Sequence, residues 1–283
     1  MTLLDMAAAE QLEQAPWPAG RDALLPWLIQ RKPVLFDGVY QRFPDARNWR
    51  YEWLKERMET IRIQRPQEDG IYHYLGFERV PIEEFDRILA TGSSAYALEP
   101  LKGRGVAQTF PPDFRVELPE FVPEDSFRVS NLYVGPGGNK SLLQYDETHS
   151  LLMMLEGRKR FLLFPPSETR HLYPYSIFDL RALLEGRVID SRIDCSGLDY
   201  ERFPKLRHAR GVTGTMEAGQ ALLIPAGTWH YIEAEGLNVS VNFFWFQNRL
   251  RDWLRRPLLD FWFKRRMLDG IDLVRKVKSA VRN

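Results

Sequence analysis

Between residues 127 and 246 the apolar residues fall into a two-residue rhythm, and that rhythm limits the fold more than any other feature of the chain. "FRVSNLYV", "SLLQYD", "LLMML", "KRFLLF", "TGTMEA", "QALLIP", "TWHYIEAE" and "LNVSVNFFWF" are runs in which alternate side chains would line one face of a strand. Turn residues in "GPGGN", "EGRK", "AGQ" and "PAG" separate several of them. Eight short strands in one block predict a sandwich, a barrel or a double-sheet jelly roll. Residues 165–211 interrupt the block with Pro165, Pro166, Pro174 and Pro204 among polar and aromatic residues. They read as a long insertion, and insertions of that length in a compact domain are often functional.

The flanks follow other rules. Residues 1–126 look like a mixed α/β segment packed on the barrel. A short helix in "GRDALLPWLIQ" precedes a buried strand after Pro33, and "WRYEWLKERM" (49–58) places Trp49, Trp53, Leu54 and Met58 on one helical side. "PIEEFDRILATG" (81–92) is a further helix, with Pro81 in its first turn and Gly92 as its stop. Behind the barrel segment 127–248, residues 249–283 read as two amphipathic helices, with Pro257 at a break or start and Gly270 as punctuation. Trp253, Leu254, Leu258, Leu259, Phe261, Trp262 and Phe263 give this tail more apolar surface than a free terminus carries. That surface must meet the barrel, a second subunit or a membrane surface, and protein is the expected partner.

Composition narrows the function classes. The single cysteine, Cys195, excludes an internal disulfide framework and cysteine-rich zinc sites, which favours a reducing, cytoplasmic setting. The first residues, "MTLLDMAAAEQLEQ", lack the basic start of a secretory signal, and no apolar run approaches the roughly 20 residues of a membrane span. The tail from Arg249 holds 11 basic and 4 acidic residues. It suits an anionic partner, self-association or a simple solvated face. Nucleic-acid binding is not expected, because no basic groove interleaved with aromatics accompanies it.

Chemistry concentrates at a few strand ends. His230, early in "TWHYIEAE", sits beside the Pro-Ala-Gly turn, where a barrel mouth would lie. Asp146 ends another strand. A histidine and a carboxylate from separate jelly-roll strands are two-thirds of a facial Fe(II) triad. The third ligand normally sits two residues before the carboxylate, on the same strand face, and there the chain has Gln144. Lys159 shares a face with Phe161 and Leu163. Either that face is interior and the ammonium needs an anion, or Lys159 ends the strand in solvent beside Glu156. Asn242, with Ser240, faces away from Val239, Val241 and Phe243, and fits either a polar interior or a hydrogen-bonded core asparagine.

Taken with "KPVLFDGVYQRFPDARNW", "SLLQYDETHSLLMMLEGRKRFLLFPP", "YPYS", "DYERFPKL", "LLIPAGTWHYIE" and "SVNFFWF" in this order, the chain resembles the JmjC, cupin-like oxygenases over roughly residues 30–248, the asparaginyl hydroxylases among them most. The resemblance implies a mainly β fold with flanking helices and a double-stranded β-helix core. It implies Fe(II), with 2-oxoglutarate as co-substrate, and hydroxylation of a peptide or small molecule. Asp146 and His230 then match metal ligands. Lys159 matches the residue that pairs the distal carboxylate of 2-oxoglutarate, with Ser141 and Tyr96 reaching the same group, and Asn242 matches an asparagine near the co-substrate. Related hydroxylases dimerise through C-terminal helices, so a homodimer is expected. Gln144 departs from the pattern. It ligates through its amide oxygen, or His149 swings in to replace the lost histidine, or the chain is a pseudoenzyme that keeps the pocket for binding.

Overall fold

The computed structural model describes residues 3–5, 10–65, 76–91, 95–103, 114, 117–185, 187–246, 254 and 256–282, with side chains of the last helix described as far as Gly270. Among these residues twelve strands join in one sheet. They are β1 (Glu10–Gln11), β2 (Gln14–Pro16), β3 (Val34–Asp37), β4 (Thr60–Gln64), β5 (Phe77–Pro81), β6 (Tyr96–Gly103), β7 (Phe127–Gly135), β8 (Gln144–Tyr145), β9 (Thr148–Phe164), β10 (Val212–Glu217), β11 (Gln220–Ile224) and β12 (Trp229–Phe246). The order is β2-β3-β11-β9-β12-β7-β6-β4-β5, with β10 also on β9 and β8 also on β12. Helices and the insertion flank it. This is the mainly β, cupin-like jelly roll that the strand rhythm and the resemblance led us to expect.

One expected turn is not a turn, and two strands expected to be separate are one. "LLMML" and "KRFLLF" run together through "EGRK" as β9, and "TWHYIEAE" and "LNVSVNFFWF" join as β12. Both long strands bend where a glycine takes positive φ, Gly157 at 72° and Gly236 at 67°. A Cβ on Gly157 would collide with the Leu237 carbonyl, so this close crossing demands glycine. Their mutual register slips between Glu235 and Ser240, as at a β-bulge. Each strand thereby serves two half-sheets. One half holds β10, the end of β9, the start of β12 and β8. The other holds β3, β11, the start of β9, the end of β12, β7, β6, β4 and β5.

Alternation along β9 sorts the core. Leu151, Met153 and Leu155 face an outer cluster with the N-terminal segment, including Leu24, Phe43, Trp49, Leu54 and Phe85. Leu152 and Met154 face inward, and with Phe161, Leu163, Leu222 and Ile224 they fill an inner apolar cluster. A third cluster joins Tyr145, Trp229 and Tyr231 to Leu172, Ile193, Phe203 and Leu206 of the insertion and to Leu258. The insertion, which holds a helix at Leu180–Leu184 and 3-10 turns at Pro166–His171 and Pro204–His208, is therefore a packed layer on the first half-sheet.

Several local expectations need correction. The helix in 49–58 is short, Tyr51–Lys55. The helix Ile82–Ala90 begins after Pro81, which sits at its N-cap rather than in its first turn. Gly92 lies outside the described residues, as does Trp253. Among the described residues of the tail one helix, Leu258–Arg282, starts right after Pro257 and runs through Gly270, which does not punctuate it; residues 249–253 and 255, where the first of the two expected helices would begin, lie outside the described residues. A single interior glycine costs only about 1 kcal/mol relative to alanine, too little to stop a long helix. Leu258 and Lys264 of this helix are buried against the body of the protein, while Trp262, Phe263 and Met267 stay exposed. No helix among the described residues is long and apolar enough to cross a membrane.

Candidate functional site

The inner face has an apolar end and a polar end, and the polar end gathers most of the singled-out residues. His230 is paired in register with Gln144 of β8 on one side and with Leu163 of β9 on the other. Opposed residues of neighbouring strands project to one face. Thus Gln144 and His230 stand side by side, with the Gln144 Nε2 and His230 Nε2 atoms 3.5 Å apart. Asp146 follows directly after β8. Its carbonyl accepts the Gly227 N–H at 2.8 Å, which ties the Pro-Ala-Gly turn to the acidic turn. That tie leaves Asp146 Oδ2 3.8 Å from His230 Nε2.

The His230 Nδ1 atom faces the Thr228 carbonyl at 3.2 Å. A carbonyl can only accept, so Nδ1 carries the proton and Nε2 presents its lone pair toward Asp146 and Gln144. Burial raises the Asp146 carboxyl above its ordinary value. His230 pulls it back, Glu147 adds to the rise, and Arg128 opposes it. A half-shielded carboxylate, an imidazole lone pair and an amide converging within 4 Å suit a divalent cation, the amide through its oxygen. Among the described residues no three His, Cys, Asp or Glu side chains converge.

Lys159 lies deeper on the same face. Only 8% of it is exposed, so the solvent-exposed strand end paired with Glu156 is ruled out. Glu156 instead accepts the Tyr51 N–H at 2.8 Å. The Lys159 ammonium donates to Ser240 Oγ at 2.8 Å and sits 5.7 Å from the centre of the Tyr133 ring. Among the described residues it has no carboxylate partner. Burial alone pushes its pKa down to about 8.

The remaining expected residues distribute around this axis. Ser141 is bonded to the backbone of Ile232 twice: its N–H donates to the Ile232 carbonyl, and its Oγ accepts the Ile232 N–H at 2.9 Å. Its own O–H is left to donate. Asn242 lies two residues from Ser240, and its Oδ1 accepts the Ser150 hydroxyl at 2.8 Å. Tyr96 enters from β6, where its hydroxyl donates to Gln64 Oε1 at 2.8 Å. His149 does not join the set. Its Nδ1 accepts the Ala226 N–H at 3.0 Å and its ring packs on Trp245 at 5.5 Å, so the swing toward Asp146 is corrected. The odd spacing from Asp146 also puts it on the other face of a regular strand.

Two neighbours were missed in the sequence. Tyr133, opposite Ser240 on β7, reaches both the lysine and the acidic end. Burial pushes its hydroxyl up to about 12, a hydrogen bond with Asn131 lowers it, and the Asp146 charge raises it. The alternation of Asn131 and Tyr133 with buried Leu132 and Val134 was the available signal. Asp190, from the insertion, is bridged to Gln144 on the side away from His230. No periodicity announces it.

A family model described as a cupin-like domain matches residues 27–251. Lysine-specific demethylase 8 of Xenopus tropicalis is 28% identical over 235 residues, which is 77% of this chain and 49% of that protein. Jumonji C domain-containing protein 5 of Drosophila melanogaster is 33% identical over 113 residues, covering 40% of this chain and 26% of the relative. HSPB1-associated protein 1 of Bos taurus is 36% identical over 122 residues, with coverage of 42% and 24%. The chain spans about half the length, or less, of these relatives.

Proposed function

The chain belongs to the cupin-like domain family, and from that membership we propose that its polar inner end serves an Fe(II)- and 2-oxoglutarate-dependent oxygenase, a hydroxylase with a Gln-Asp-His metal set. Asp146, His230 and Gln144 would hold the metal, Gln144 through its amide oxygen. Bound there, Fe(II) with 2-oxoglutarate supplies the activation of O₂ that puts oxygen into a C–H bond.

The observation that carries this reading is Lys159. A buried ammonium whose only close companions among the described residues are a hydroxyl and a ring face is a costly arrangement for stability alone. A dicarboxylate supplies the missing charge by charge-assisted hydrogen bonding. In this scheme Lys159 takes the distal carboxylate and the free O–H of Ser141 donates to it. Ser240 holds the ammonium in place, and Tyr96 and Asn242 border the co-substrate. The Thr228 carbonyl faces His230 Nδ1, which leaves Nε2 as the ring atom that would ligate. The apolar cluster behind Lys159 keeps water from the far side.

Several relatives are named as lysine-specific demethylases. For this chain we propose a hydroxylation, of a peptide or small molecule, in a reducing cytoplasmic setting. The exposed Trp262, Phe263 and Met267 beside the buried face of the C-terminal helix support a homodimer through that helix, and a monomeric mass by light scattering at micromolar concentration would contradict it. The oxygenase is tested by anaerobic Fe(II) titration with 2-oxoglutarate, followed by succinate release in air. Metal uptake and succinate are expected; a folded protein that takes up no Fe(II) overturns it.

Gln144 favours one second reading, a catalytically silent dicarboxylate-binding module. A neutral amide oxygen binds Fe(II) more weakly than imidazole does. Thermal shifts separate the two: stabilisation by dicarboxylate alone marks the module, and stabilisation that needs metal marks the oxygenase.

A further inference from the structure

Asp190 is almost fully buried, with 2% of its surface exposed, and its Oδ1 atom has no hydrogen-bond partner among the described residues. It is bridged antiparallel to Gln144. The Tyr145 N–H reaches the Ile189 carbonyl at 3.2 Å and the Ser191 N–H reaches the Leu143 carbonyl at 2.8 Å. The hydrogen bonds therefore flank the Gln144–Asp190 pair instead of joining it. This is the narrow kind of antiparallel pair, in which the two side chains are closest. Asp190, Gln144 and His230 thus form one lateral row on one face of three adjacent segments, with Gln144 in the middle.

The middle residue has two ends and two neighbours of opposite need. His230 Nε2, with its proton on the other ring nitrogen, is an acceptor, and the Gln144 NH₂ group faces it at 3.5 Å. A cation between Asp146 and His230 reverses that preference. It repels the NH₂ group and attracts the amide oxygen. Once the amide turns, its NH₂ group needs an acceptor on the opposite side. A carboxylate is acceptor-only, and the orphaned oxygen of Asp190 stands on that side. Asp190 does not itself converge with Asp146 and His230 as a third ligand.

We propose that Asp190 is a positioning residue, the acceptor that receives the Gln144 NH₂ group and so turns the Gln144 amide oxygen toward the metal. The inference rests on the metal reading given above and assigns the insertion a share in it. Arg187 and the buried Lys264 offset part of the Asp190 charge, and the inference gives its orphaned oxygen a task.

The test is Mn(II) affinity of the full chain, read from free Mn(II) by electron paramagnetic resonance, in two backgrounds. In the native background Asp190→Ala should weaken Mn(II) binding about tenfold or more. Asp190→Asn, which keeps an acceptor oxygen and folds as a near-isostere, should retain most of the affinity. In the Gln144→Glu background both side-chain ends are oxygen, so no turning is needed and a second carboxylate nearby only repels. There Asp190→Ala should leave affinity unchanged or raise it. Equal weakening in both backgrounds would mean a general charge or structural effect and would overturn the proposal, as would native binding insensitive to Asp190→Ala. A native chain that binds no Mn(II) sinks the metal reading itself, and this inference with it.

Discussion

Glu99 and Lys159 are both buried charges of this sheet, and the protein treats them in opposite ways. Glu99, on β6, is 1% exposed, and its carboxylate accepts the Arg62 N–H at 2.7 Å and the Arg79 guanidinium at 2.6 Å. It is answered from within the fold, as a structural charge must be. Lys159 has a hydroxyl and a ring. The difference teaches where to look for a ligand: Glu99 is neutralised from within the fold, and Lys159, which has no carboxylate partner among the described residues, is the buried charge that the proposed dicarboxylate would answer.

The sharpest way to break the contrast is to remove each charge. Lys159→Met should weaken 2-oxoglutarate binding by about 3 kcal/mol, or roughly 100-fold, while the melting temperature of the ligand-free chain stays level or rises. Glu99→Gln should do the reverse. It removes the charge and leaves an amide oxygen for only one of two donors, the Arg62 N–H and the Arg79 guanidinium, costs about 2 kcal/mol in a urea melt, and leaves dicarboxylate affinity intact. If Lys159→Met destabilises as much as Glu99→Gln, the lysine is architecture too.

A pH series sharpens the contrast further. Lys159 titrates near 8 in the folded chain and near 10.5 when unfolded. Between these values the unfolded state binds more protons, so the stability of the ligand-free chain should rise with pH. From pH 8 to pH 10 the rise is about 2 kcal/mol, and Lys159→Met should lose it. Lys264, also pushed down to about 8 by burial, contributes in the same direction in both proteins, so the difference between the two curves is the quantity to measure. The smallest effect is reserved for the hydroxyl: Ser240→Ala should cost about 1 kcal/mol of dicarboxylate binding, because it only holds the ammonium in place.

Legibility in the sequence follows the same division. The strand rhythm marks out the inner face, and parity alone puts Gln144 and Asp146 on one side and His149 on the other. The proximity of His230 to Asp146 needs the fold, because the Gly227–Asp146 tie joins residues far apart in the chain. Gly157 and Gly236 were unreadable as bends, since a glycine beside charged residues looks the same in a turn and in a kinked strand. Lys159 was ambiguous because strand parity says which face a residue shares but not which face is buried. Tyr133 was readable and passed over. Asp190 was not readable, because its role depends on an edge pairing with β8 that an insertion rich in proline does not advertise. Gly270 misled because punctuation weighs less than packing in a helix held by Leu258 and Lys264.

The most direct measurement of the central claim is calorimetric titration of 2-oxoglutarate into the anaerobic chain with Mn(II), beside Lys159→Met under the same conditions. One dicarboxylate per chain in the native protein, and loss of that binding in the variant with its fold intact, is the predicted result. Equal binding in both proteins, or none in the native chain, would show that the open charge awaits no such anion and would contradict the account.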